Sequence, residues 1–136
     1  MQNDNCIFCK IANGEIPSRT VYEDEDFRVI LDLGAGTKGH SLILPKSHYA
    51  NLYELPDETA SKVLIVAKKV ATLLRDKLGC DGLNLIQNNG EEAGQTIFHF
   101  HTHLIPRYKG LPQILEWTPG TPTPEELDET LKQIIG

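Results

Sequence analysis

"TIFHFHTHLIPR", residues 96–107, sets histidine at every second position, at 99, 101 and 103. Strand side chains alternate between faces, so residues two apart share a face about 6.5–7 Å from one another. The pattern predicts a strand over residues 97–106. His99, His101 and His103 then look one way, and Phe98, Phe100, Thr102 and Leu104 look the other, onto the core. The chain has only five histidines, so three on one face ask for a purpose. They could be a solvated polar face, three ligands of one catalytic metal, or a nucleophile with supporting imidazoles. Lysine, threonine and glutamate fill solvated faces far more often, and three histidines along one straight strand span too far to share an ion. A nucleophile is sound chemistry. With a reference pKa of about 6.5, imidazole is largely neutral at cell pH. It can attack phosphorus, hold a nucleotidyl group and release it to water.

The residues around this run predict the rest of the domain. "RTVYEDEDFRVILDL" (19–33) gives two short strands, Thr20 to Glu23 and Phe27 to Leu31, split by an acidic turn. "GHSLILPKSH" (39–48) gives a third, which Pro45 ends or confines to an edge. From Asp57 to Leu78 the apolar positions Val63, Val66, Val70, Leu73 and Leu74 follow helical spacing, opened near Pro56 and closed by Gly79. "GLNLIQ" (82–87) is a further strand, and the loop "NNGEEAGQT" (88–96) leads into the histidine strand. Gly94 allows close backbone approach in that loop, and Gln95 and Thr96 offer donors for a phosphate. Beyond Gly110 comes a proline- and glycine-rich stretch, "WTPGTPTP" (117–124). A last helix follows, with Thr123 as N-cap, Pro124 at its first position and Glu126 completing a capping box. Its Leu127, Leu131, Ile134 and Ile135 form one apolar face, expected on the body or on a second subunit. Strands, one long helix and strands again predict an α+β domain on a mostly antiparallel sheet.

A length of 136 residues suits one domain, and the net charge of -6 argues against a partner held by a general basic field. Neither nucleic acid nor membrane is expected. No run of apolar residues reaches membrane-span length and the start carries no signal-peptide core, which predicts a cytoplasmic protein. Three cysteines make a poor disulfide framework: Cys6 and Cys9 form a C-x-x-C pair, and Cys80 reads as a small buried filler. Two cysteines with two of the five histidines, which include His40 and His48, would make a closed tetrahedral metal site.

These residues resemble the histidine triad (HIT) family. "HFHTHLI" is similar to its signature of three histidines alternating with hydrophobic residues, with Thr102 at a hydrophobic position. "CIFCKIANGEIPS", "VILDL", "GHSLILPKSH", "NLIQNNGEEAGQTIFHFHTHLIP" and "WTPG" resemble the Hint branch in the same order, across nearly all of residues 5–120. The resemblance implies a HIT-like fold: a five-stranded antiparallel sheet with a short N-terminal helix, one long helix and a C-terminal helix. The sheets of two chains would join in a homodimer. Residues 1–112 would form the domain and residues 113–136 an extension, with Trp117 and the last helix reaching the partner's site. The implied nucleophile is His101, with His103 contacting phosphate and protonating the leaving group, and His40 supporting the triad. Gln95, Thr96 and Asn88 would hold the α-phosphate, Asp32 the ribose hydroxyls, and Ile30 and Leu33 the purine. Zinc-binding members place a structural metal on residues matching Cys6, Cys9, His48 and His99. The implied activity is a purine nucleoside phosphoramidase working through a nucleotidyl-histidine intermediate. The alternatives are a dinucleoside polyphosphate hydrolase, a purine-nucleotide adaptor with vestigial catalysis, and a zinc-dependent hydrolase.

Overall fold

Hairpin geometry begins the domain. Strands β1 (Thr20–Glu23) and β2 (Phe27–Leu31) pair antiparallel. Between them Asp24 Oδ1 accepts from the backbone N–H of Asp26 and Phe27, at 2.9 and 2.8 Å. That side-chain turn is what the acidic tetrad supplies. Strand β3 (Ser41–Pro45) adds to β2, and β5 (Thr102–Arg107) pairs on its far side with both β3 and β4 (Gly82–Gln87). The result is a five-stranded antiparallel sheet in the order β1-β2-β3-β5-β4, described, in this computed structural model, over residues 2–114 and 116–136. Pro45 ends β3, but that strand is central rather than an edge.

A helix covers each face of the sheet. Helix α2 (Asp57–Leu78) buries Val63, Val66, Ala67, Val70 and Leu74 against Phe27, Val29, Ile43, Phe100 and Leu104. Gly79 closes it in the left-handed conformation at φ 66°. Leu73, expected on the buried stripe, is instead 40% exposed, and Ala67 joins the stripe beside Val66 and Val70. On the other face lies α1 (Ile7–Ala12), whose Phe8 and Ala12 pack on Ile30, Leu42 and Leu44. Six residues cannot hold a helix by propensity. Cys6 Sγ caps it, accepting from Cys9 N–H. Asn13 Nδ2 donates to the Lys46 carbonyl (2.9 Å), and Arg28 Nε donates to the Ala12 carbonyl (3.1 Å). These ties fix the cysteine pair beside the sheet.

The histidine strand is shorter than its sequence predicts. Regular pairing begins at Thr102, where β3 and β4 both start their ladders with β5, and residues 97–101 lie outside it. Upstream, Phe100 N–H donates to the Tyr49 carbonyl at 2.6 Å, while the His99 carbonyl is taken by a side chain. Phe100 and Leu104 reach the core as expected, whereas Phe98 is 48% exposed because the chain has left the pleat there. Thr102 is buried on the core side, and its Oγ1 has no hydrogen-bond partner.

Helix α3 (Pro124–Ile135) forms with the expected capping box on Thr123 and Glu126. It buries none of its residues, so its apolar face lies open in the single chain. Trp117 is also exposed. Cys80 is half-buried rather than a core filler.

Candidate active site

Ring hydrogen bonds assign a tautomer to each histidine near the start of β5. His101 Nδ1 lies 2.7 Å from the His99 carbonyl, which can only accept, so Nδ1 carries the proton and Nε2 keeps its lone pair. Gly36 N–H donates to His40 Nδ1 at 2.9 Å, which leaves the proton of neutral His40 on Nε2. That Nε2–H faces His103 Nδ1 at 2.9 Å, so His103 bears its own proton on Nε2. The rings of His101 and His103 stand 5.2 Å apart. A bare nitrogen and a proton donor therefore sit side by side, which is the division of labour a nucleotidyl transfer needs.

Backbone geometry puts these rings in place. Beyond the last ladder pair, Leu31–Ser41, Asp32 N–H donates to the His40 carbonyl at 2.9 Å. Gly39 adopts φ +90°, and a Cβ there would stand 2.5 Å from Leu78 Cδ1. Only glycine admits that turn. Burial, with the neighbouring His101 and His40 imidazoles, pushes His103 down to about 4, against the pull of the Asp32 carboxylate. Burial lowers His40 as well, again opposed by Asp32. Both rings are neutral at pH 7, as the tautomers require.

His99 faces elsewhere. Its Nε2–H donates to the Pro45 carbonyl at 2.8 Å, and its Nδ1 lies 3.4 Å from both Cys6 Sγ and Cys9 Sγ. His48 Nδ1 is 3.3 Å from Cys9 Sγ, and the four donor atoms all lie within 4.8 Å of one another. Tetrahedral zinc, with bonds of about 2.3 Å to sulfur and 2.0 Å to nitrogen, holds such ligands about 3.5 Å apart. The donor set and its spacing fit that ion. Burial pushes His99 down to about 4, which keeps it a neutral ligand, and raises the Cys9 thiol, an effect a bound cation would offset.

A third region adjoins the triad. A cavity of about 340 Å³ brings together Ile30, Asp32 and Leu33, and is also lined by Phe8, Ile11, Leu42 and Ile97. Leu33 is 92% exposed and forms its rim. The Phe8 ring meets His101 edge-on at 5.1 Å, which joins the cavity to the triad. Phe8 and Ile11 escaped the sequence reading, which took only the thiols from "CIFCKIA". Their three-residue spacing on a helix was the available signal.

The phosphate loop departs from expectation. Gln95 is 2% exposed and spent: its Nε2 donates to the carbonyls of Ala50 (2.7 Å) and Ile97 (3.1 Å), and its Oε1 accepts from Gly90 N–H (2.8 Å). It ties the loop down and offers a ligand nothing. Thr96 is exposed in a separate cleft beside His48. Asn88 is half-buried, its Nδ2 3.9 Å from where a Gly94 Cβ would stand.

A family model for the HIT domain matches residues 13–110. The chain belongs to the HIT family. It is 51% identical over 105 residues to Protein hit of Bacillus subtilis, covering 77% of this chain and 72% of that one. It is 44% identical over 107 residues to the Arabidopsis thaliana protein named adenylylsulfatase HINT3, covering 79% of this chain and 54% of that one. A solved histidine triad nucleotide-binding protein from Candida albicans superposes with a TM-score of 0.84 at 36% identity, over 95% of this chain and 94% of that one. The sheet order and helix placement found here are therefore those of a HIT fold, as the sequence resemblance implies. No described helix is long and apolar enough to cross a membrane.

Proposed function

We propose that this HIT protein is a purine nucleoside phosphoramidase that works through a covalent nucleotidyl-His101 intermediate. The observation that carries it is the tautomer pair: His101 has a bare Nε2 and His103 a protonated one, beside an apolar cavity with Asp32 at its edge. The base lies between Ile30 and Leu33, the ribose hydroxyls meet Asp32, and the α-phosphate faces Asn88 and the triad, with Thr96 in the neighbouring cleft. Gln95 acts on the phosphate only by bracing its loop.

In the first step His101 Nε2 attacks phosphorus and the phosphorus–nitrogen bond to the leaving amine breaks. The His40–His103 pair takes up a proton as the anionic phosphate docks, so that His103 Nε2 gives the amine a proton and the pair returns to neutrality. In the second step water attacks the nucleotidyl-imidazole, a proton returns to His103, and the nucleoside monophosphate leaves. The neutral His103 gains basicity when an anionic phosphate approaches, which prepares it for the exchange. Zinc on Cys6, Cys9, His48 and His99 would supply structural cross-linking, fixing the His99 backbone whose carbonyl orients His101. Homodimerisation fits the open edge of β4, where Leu85 and the nearby Leu64 of α2 are exposed, and fits the uncovered α3.

A second reading rests on the adenylylsulfatase named among the relatives. The same step with sulfate as leaving group needs no proton donor, since sulfate is a weak base. The test is to assay an adenosine phosphoramidate, adenylyl sulfate and a dinucleoside polyphosphate with native chain and His101→Ala. The phosphoramidate is expected to turn over fastest and the variant to be inactive on all three. Preference for adenylyl sulfate or the polyphosphate would reassign the substrate, and nucleotide binding with no turnover would leave only an adaptor.

A further inference from the structure

Besides Phe8, Asp32 also touches both the cavity and the histidine cluster. Asp32 Oδ1 accepts from Gly34 N–H at 2.9 Å, which aims Oδ2 inward. Oδ2 stands 3.4 Å from His40 Nε2, the same nitrogen that lies 2.9 Å from His103 Nδ1. His40 has a single proton there, because Gly36 N–H occupies its other nitrogen. That proton is shared between a carboxylate on the nucleoside side and an imidazole on the phosphate side. The ligand atoms of Asp32, His40 and His103 fall within 4.8 Å of one another, half-buried or buried.

The same three groups do not suit a metal. For His40 Nε2 to bind one, its proton would move to Nδ1 and confront the Gly36 N–H, leaving two donors face to face. The arrangement suits a relay instead.

We propose that Asp32 is a positioning residue that couples ribose occupancy to the proton donor, acting through His40 on His103. Without nucleoside, Asp32 Oδ2 competes for the His40 Nε2–H. When ribose hydroxyls donate to Asp32, the carboxylate is satisfied and His40 commits its proton to His103 Nδ1. That holds the His103 Nε2–H on the phosphate. A substrate lacking ribose hydroxyls would leave the donor loosely aimed. The inference rests on the nucleotidyl-transfer reading for its kinetic consequence, but the hydrogen-bond switch stands without turnover. The titratable groups facing His103 are His101, His40 and Asp32, and Asp32 favours the charged form of both His40 and His103.

Two measurements on the native chain test this. The first follows the imidazole nitrogens of ¹⁵N-histidine-labelled protein by NMR. AMP is expected to move the His40 and His103 signals, and 2′,3′-dideoxy-AMP at saturation to move them much less. In Asp32→Asn both histidines should titrate at lower pH, and the difference between the two nucleotides should vanish. Equal responses to both nucleotides in the native protein would overturn the proposal even if the variant failed to fold. The second compares kcat for an amine leaving group, which needs a proton, with kcat for a 4-nitrophenyl ester, which does not. Asp32→Asn should lower the amine-to-ester ratio by about tenfold, a part of the roughly 10²–10⁴-fold that a general acid contributes. An equal loss on both would make Asp32 a ribose clamp alone. Absence of turnover on either, with the NMR switch intact, would overturn the enzymatic reading and leave the coupling standing.

Discussion

The proton on His101 Nδ1 lies in a 2.7 Å hydrogen bond to the backbone carbonyl of His99. That carbonyl is free because the chain has not yet entered the β5 ladder at residue 99. The bond turns Nε2 into the lone-pair nitrogen and fixes the plane of the ring. Two sites thus share one residue, since the side chain of His99 faces the cysteine pair while its carbonyl holds the neighbouring imidazole.

Replacing His101 tests the nucleophile directly. His101→Ala should lower kcat by about 10⁴-fold or more, as losing a nucleophile does. His101→Gly supplied with free imidazole should regain part of the rate. Steady-state assay of a phosphoramidate checks both. A variant of near-native rate would remove His101 from the chemistry.

The proposed metal ligands carry a stability prediction instead. Cys9→Ser should lower metal content from one equivalent per chain to well below one, and cost about 2–4 kcal/mol of stability. For a domain of this size that is a fall in Tm of roughly 6–15 °C. Metal analysis and calorimetry read the two effects. A catalytic metal would show the opposite pattern, with the fold intact and the rate lost on chelation.

Thr102 offers a gain. Its Oγ1 is buried and has no hydrogen-bond partner, at a position where the family pattern has a hydrophobic residue. Thr102→Val keeps the shape and removes the stranded hydroxyl. Stability should rise by about 1 kcal/mol, measured by urea denaturation, with kcat unchanged.

Alternation in "HFHTHL" was enough to separate the histidine face from Phe100 and Leu104. Gly79 with the apolar spacing placed the end of α2. What the sequence hid was the competition for backbone groups. No pattern shows that the His99 carbonyl would go to a side chain, so β5 starts five residues later than its alternation suggests. The same holds for Gln95: a glutamine before a histidine run reads as a phosphate donor, yet three backbone groups claim its amide. Tautomers are equally invisible until Gly36 and His99 are seen against the rings.

Acid should weaken the fold in a window set by the depressed histidines. His103 titrates at about 4 in the folded chain against a reference of 6.5. Between those values the unfolded chain binds more protons, so stability is complete above about pH 6.5 and falls as pH drops toward 4. In His103→Asn the slope of stability against pH should be shallower across that window. Denaturant melts at half-unit pH intervals measure it, and an unchanged slope would exclude His103 from the effect.

Oligomeric state tests what covers the open edge. The β1 edge is polar, with Glu23 engaged by Arg28 and Lys46. The β4 edge instead leaves Leu85 44% exposed, with Leu64 at 66% exposure on the adjoining helix. An unpaired strand edge flanked by apolar residues is a template for another strand. If two sheets join there, native protein sediments as a dimer at micromolar concentration. Leu64→Lys with Leu85→Lys should shift it to monomer with its circular dichroism spectrum kept, because both side chains are largely solvated in the single chain. A double variant that still sediments as a dimer would move the interface to α3. Lysines at Leu127 and Leu131, which face outward from that helix, would then be the pair that breaks it.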